Sequence, residues 1–169
     1  MTRGAEPVES RRPDRGIQVG DQSFMRSAID IARRAMLAGE PPIGACLVRA
    51  GEAIVTLSNA VVGELDITAH AEMRVIRAAC RQLRVLTLSD CRLFVTVAPC
   101  PMCMSACHYA GIPEIVYGAE IADLHALTGN EIMVEGSRPP GLTMSGGCLG
   151  DECRALLEEW SARSPGGPA

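Results

Sequence analysis

The sequence predicts a three-layer α/β/α sandwich, and three observations predict it. Segments of helical and strand periodicity alternate along most of the chain. One strand candidate, CRLFVTV, is mostly apolar, as a strand covered by helices on both faces is. The 169 residues suit one domain with a full hydrophobic core, and no internal repeat or second domain is visible.

Residues 1–20 are polar, with Pro7, Pro13 and many charges, and read as a disordered tail. From Asp21 to Gly39 apolar residues recur at helical spacing through Phe24, Ala28, Ile31, Ala32 and Ala35, with Asp21 as N-cap. Gly39-Glu40-Pro41-Pro42 ends that helix. IGACLVRA and AIVTLS read as strands joined by a tight turn at Gly51-Glu52. After the loop NAVVGELDIT, a second helix is predicted from Ala69 to Leu83. The strand Cys91–Val97 is broken by Pro99 and Pro101, and a helix follows to Ala110. EIVYG reads as a fourth strand and EIMVEG as a weaker fifth. The last helix, Leu149 to Ser161, puts Cys153, Leu156, Leu157 and Trp160 on one face. Residues 163–169 read as a second tail, leaving 21–162 as the domain.

Apolar residues are 47% of the chain and aromatics only 3%, so the core must be built from Ala, Val, Ile, Leu and Met. No apolar run reaches transmembrane length, and the charged N-terminus is no secretory signal; the expectation is a soluble, cytoplasmic protein without a membrane partner. All 16 basic residues are Arg, and the formal net charge is −4. That balance disfavours, without excluding, a polyanionic nucleic-acid substrate. Of the 8 cysteines, Cys46, Cys80 and Cys91 sit among apolar residues and read as buried thiols, not as disulfide partners.

Two segments carry chemistry, each at a helix start: Thr68-Ala-His70-Ala-Glu72 and Pro99-Cys100-Pro101-Met102-Cys103. Cys100 and Cys103 share one helix face, in a first turn whose free N–H groups favour thiolates. His70 offers a third ligand, and three protein ligands with one open position is the pattern of a catalytic zinc. Glu72, two residues on from His70, is too close to be a comfortable fourth ligand but suits a carboxylate that moves protons. Taken singly, each residue has an ordinary reading: a core histidine, a first-turn acid, a redox thiol pair or half of a structural zinc site. A redox pair leaves His-x-Glu unexplained, and a structural site needs a second ligand pair. The joint pattern, His-x-Glu and then Pro-Cys-x-x-Cys, matches the zinc deaminase signature.

On these motifs the chain resembles the cytidine deaminase-like superfamily, within the branch holding tRNA adenosine, guanine and fungal-type cytosine deaminases. The resemblance runs from about Phe24 to Trp160 through MRSAIDIARRAMLAGEPPIGACLV, TAHAE, PCPMC and GDECRALLEEW. It implies a central mixed five-stranded sheet between helices and a homodimer. It implies one zinc per chain on His70, Cys100 and Cys103, and proton transfer by Glu72. Asn59, eleven residues before His70, matches a family asparagine that hydrogen-bonds the substrate. The backbone of Ala71, Pro99 and Cys100 would face the amidine-like edge of the base.

The chain also departs from the pattern. Ala98 stands where many relatives have Glu, and the tRNA enzymes' basic loop is replaced by AEIADLHALTGNEIMVEG, which has acids and no Lys or Arg. His125 and Glu131 in that stretch are further substrate-facing candidates. A small-molecule nucleobase or nucleoside is therefore the expected substrate, a guanine-type purine first and cytosine next. Deamination of tRNA or of single-stranded nucleic acid is the alternative, supported by the closing-helix similarity. A non-catalytic zinc-stabilised module would leave Glu72 without a purpose, and a thiol oxidoreductase would need a reversible Cys100–Cys103 disulfide.

Overall fold

A computed structural model describes residues 16–129 and 138–163. The elements run α1 (Asp21–Leu37), β1 (Gly44–Arg49), β2 (Glu52–Ser58), α2 (Ala71–Leu83), β3 (Cys91–Val97), α3 (Pro101–Tyr109), β4 (Glu114–Ala119), α4 (Ile121–Thr128), β5 (Thr143–Ser145) and α5 (Gly150–Arg163). The five strands form one sheet in the order β2-β1-β3-β4-β5. β1 pairs antiparallel with both β2 and β3, while β3–β4 and β4–β5 are parallel, so the sheet is mixed.

Helices cover both faces. Ala28, Ile29, Ala32 and Met36 of α1 and Leu156, Leu157 and Trp160 of α5 pack with Phe94, Val116 and Cys46 of the strands. On the other face, Val75 and Ala79 of α2 and Met104 and Cys107 of α3 pack with Leu47, Leu93, Val95 and Ile115. Alternation along β1, β3 and β4 sends successive side chains into the two cores, and this makes β3 read as a continuous apolar run. No described helix is long and apolar enough to cross a membrane.

Several details differ from the sequence reading, among them helix α4 (Ile121–Thr128), in a stretch read as a loop. Gly20, in the left-handed region at φ 101°, caps α1, and Asp21 is its first residue. The Asp21 carboxylate is instead taken by Arg92, at 2.7 and 3.0 Å, and accepts the Gln18 N–H at 2.8 Å. The β1–β2 turn sits one residue earlier, on Ala50 and Gly51, both left-handed at φ 52° and 82°. Paired positive φ at a two-residue loop suits the right-handed twist of a hairpin. The fifth strand is Thr143–Ser145, and the EIMVEG segment lies outside the described residues.

Two glycines set close contacts. Gly44 opens β1 directly under α1, where a Cβ would run into the Ala28 carbonyl oxygen and the Ile31 side chain. Gly118 in β4 lies against the Cys153 side chain of α5, with no room for a methyl group.

Candidate functional site

The site forms where β2 hands over to α2 and β3 to α3. His70 is the N-cap of α2, at φ −63° and ψ 151°, and Cys100 is the N-cap of α3, at φ −70° and ψ 168°. Neither side chain caps its own helix, which leaves both free to point at a common centre. Pro101 at the first helical position fits because its missing N–H would be unbonded there anyway. Cys103 then falls in the first turn of α3, on the same side as Cys100.

The three ligand atoms lie within 4.8 Å of one another. His70 Nδ1 is 3.7 Å from Cys100 Sγ and 3.5 Å from Cys103 Sγ. Zinc bonds of about 2.3 Å to sulfur and about 2.0–2.1 Å to nitrogen, at a tetrahedral angle, place the two elements about 3.6 Å apart. The spacing thus fits zinc, and so does the donor set of two sulfurs and an imidazole.

The two sulfurs and the imidazole act on one another's protons. The Cys103 thiol beside Cys100, together with His70, holds Cys100 down to about 4. The Cys103 thiol is pushed far up by that same contact and by burial. The Cys100 sulfur also holds the His70 imidazole above its ordinary value. Thiols ligate a metal as thiolates, so metal binding here releases protons.

Glu72 lies in the first turn of α2 and is only 3% exposed. Its Oε2 is buried without a hydrogen-bond partner. Burial pushes this carboxyl up to about 7. An orphaned buried oxygen beside the ligand set marks a place where a polar group is meant to sit.

Asn59, just past the end of β2, is 3% exposed, and its N–H donates to the Ile43 carbonyl at 2.8 Å. Ala71, Pro99 and Cys100 are buried at the starts of α2 and α3. His125 lies on α4, whose Ile121, Leu124 and Leu127 pack on the α1–α5 side of the sheet. Glu131 lies outside the described residues.

One residue near the site escaped the sequence reading. Glu40, taken as part of a helix stop, is buried, and its carboxylate accepts the Val62 and Gly63 N–H groups at 3.1 and 2.6 Å. The only hint in the sequence was an acid directly before Pro41-Pro42 in an otherwise apolar run.

Comparison with known proteins agrees with this geometry. The family described as "Cytidine and deoxycytidylate deaminase zinc-binding region" matches residues 18–119. A "tRNA-specific adenosine deaminase" of Aquifex aeolicus is 41% identical over 60% of this chain and 67% of its own length. A "Guanine deaminase" of Bacillus subtilis is 38% identical over 60% of this chain and 66% of its own. The chain thus spans about two thirds of these curated relatives. Among solved structures, a guanine deaminase from Nitrosomonas europaea superposes with a TM-score of 0.75 at 26% identity, covering 96% of each chain. Family match, fold and ligand spacing agree, and the chain belongs to the zinc-binding cytidine and deoxycytidylate deaminase family.

Proposed function

We propose that this chain hydrolyses the exocyclic amine of a free nucleobase or nucleoside, releasing ammonia and leaving the oxo product. A guanine-type purine is the preferred substrate and cytosine the next. His70, Cys100 and Cys103 hold one zinc ion, which when bound supplies the Lewis acidity that makes hydroxide available near neutral pH. Glu72 takes up a proton at its unpartnered Oε2 and returns it to the leaving amine. A carboxyl pushed up to about 7 is suited to both halves of that exchange. The Asn59 amide hydrogen-bonds the base, while the backbone of Ala71, Pro99 and Cys100 faces its amidine edge. The catalytic unit is residues 21–162, working as a homodimer.

The observation that favours a small substrate is the charge beside the site. The β2–α2 loop, residues 59–70, carries Glu64 and Asp66 and no Arg or Lys. The two arginines beneath it are already paired, Arg74 with Glu64 at 3.1 Å and Arg77 with Asp66 at 3.8 Å. An anticodon arm needs cations for its phosphates, and the β2–α2 loop carries none. The second reading, deamination of adenosine in tRNA, is favoured by the identity to the Aquifex aeolicus enzyme.

Ammonia release from guanine, cytosine, adenine, their nucleosides and a tRNA anticodon stem-loop separates the two. Turnover of a small base with weak, salt-insensitive RNA binding is expected. Turnover of the stem-loop alone, with steeply salt-dependent binding, rejects the small-substrate reading. Glu72→Ala is expected to lose at least about 10²-fold in rate while keeping its zinc. An unchanged rate rejects the proton-transfer role.

A further inference from the structure

The β2–α2 loop has an unusual makeup for a segment that must stay in place. Val62, Leu65 and Ile67 are 53%, 91% and 80% exposed, so apolar burial does not hold its tip. What holds it is polar, and it comes from two other elements. From the end of α1, Glu40 Oε2 accepts the Val62 N–H at 3.1 Å and Oε1 accepts the Gly63 N–H at 2.6 Å. Glu40 is itself only 8% exposed and is fixed from behind by Pro41-Pro42 and by its N–H, which donates to the Ala35 carbonyl at 3.0 Å. A buried carboxylate is costly unless its oxygens are bonded, and here the loop supplies the donors.

From α2, Arg74 reaches back to the same loop. Its Nη1 donates to the Ser58 carbonyl, and its Nη2 pairs with Glu64. Between these grips, the Asn59 N–H is held by the Ile43 carbonyl, and the Ala60 N–H donates to the Ala69 carbonyl at 3.0 Å. That last bond draws the two ends of the loop together one residue after Asn59 and one residue before His70. The side chains that the Proposed function assigns to base and metal are therefore placed by one braced loop.

We propose that Glu40 and Arg74 are positioning residues that brace this loop from opposite sides and so fix Asn59 and His70 relative to each other. This rests on the roles given above to Asn59 and His70. Neither brace touches substrate; both act through the loop backbone. Glu40→Gln keeps the size of the side chain but turns one acceptor into a donor facing an N–H. Arg74→Lys keeps the charge but loses the fork that spans Ser58 and Glu64.

Three readouts on the zinc-loaded or cobalt-substituted full chain test this. Hydrogen–deuterium exchange of peptides covering 59–70 is expected to be at least about tenfold faster in Glu40→Gln, with β3 peptides unchanged. The visible absorption of the Co(II)-substituted protein, which reports the geometry around the ion, is expected to change in Glu40→Gln and in Arg74→Lys. With guanine as substrate, KM is expected to rise about tenfold, because Asn59 binds the base. A merely structural residue would lower the melting temperature and leave the cobalt spectrum and KM alone. Unchanged loop exchange overturns the brace. Faster exchange with an unchanged cobalt spectrum and unchanged KM overturns the positioning role. A wild-type chain that turns over no member of the base panel defeats the functional reading alone, and the exchange and cobalt readouts still decide the brace.

Discussion

Replacing Arg92 with Met isolates the cost of stranding buried charge in this fold. Arg92 lies on β3 with its side chain 17% exposed. Its guanidinium bonds both oxygens of Asp21 and, at 2.7 Å, Glu114 Oε1, while sitting 5.1 Å over the Phe94 ring centre. One cation thereby ties the first residue of α1 to β3 and β4. Met keeps an apolar stem of similar width without the guanidinium, so the main loss is electrostatic. Removing one partner from a buried ion pair costs about 3–5 kcal/mol. The lost cation–π contact adds about 0.5–1 kcal/mol. Partial exposure of Arg92 lets water relieve some of this, so about 4 kcal/mol is the working figure, or roughly 12 °C in Tm for a chain of this size. Urea unfolding with an unchanged m-value measures it. Neutralising both stranded acids as well, in Asp21→Asn/Arg92→Met/Glu114→Gln, is expected to recover at least about 2 kcal/mol, since the penalty is unpaired charge and not lost packing. The Nε of Arg92 already lacks a partner, so the native trio is not perfectly satisfied and leaves room for that recovery. A single variant costing under about 1 kcal/mol, or a triple variant no better than the single, would refute the reasoning.

Cys103→Ser is expected to lower bound zinc from about one per chain to a small fraction, and to abolish the fall in Tm that a chelator causes in the wild type; metal analysis and melting curves read both. Gly44→Ala is expected to cost about 2–3 kcal/mol, because the new methyl meets the backbone of α1 at Ala28, which cannot rotate away; a change within about 0.5 kcal/mol in urea unfolding contradicts the close contact. Ala50→Asn is expected to stabilise by about 0.5–1 kcal/mol, because φ 52° strains Ala and suits Asn before Gly51; a lower Tm would count against that turn geometry.

The candidate metal ligands were readable in advance because they fall in two short stretches of the chain. His70 with Glu72, and Cys100 with Cys103, are local patterns, and the start of the helix that presents the cysteines is marked by Pro99 and Pro101. The brace on the loop was not readable, since Glu40 acts on residues 62 and 63 through a fold that only tertiary packing creates. Strand β3 was predicted to the residue because both its faces are covered and its run is closed by proline. The buried stripe of α1 was predicted only in part: Met25, Ile29 and Met36 are buried there beside the predicted alanines, while Phe24 and Ile31 are only half-buried. The helix carries apolar residues on adjoining stripes, and packing on the sheet chooses between them. Helix α4 was read as an acidic loop. Its start is in fact a reciprocal cap, in which the Glu120 and Asp123 side chains each bond the other's backbone N–H. Strand β5 has three residues, too few to show a period.

At the seam where Gly118 meets the sulfur of Cys153, the final helix rests on bare backbone. A methyl added at Gly118 would run into the Cys153 side chain, on the same helix whose Leu156, Leu157 and Trp160 pack in this core. That damage falls on the side of the sheet away from α2 and α3, whose first residues carry the ligands. Tolerance to change should therefore divide by layer: substitutions in the terminal helices register as altered melting behaviour, while those under α2 and α3 also disturb the chemistry.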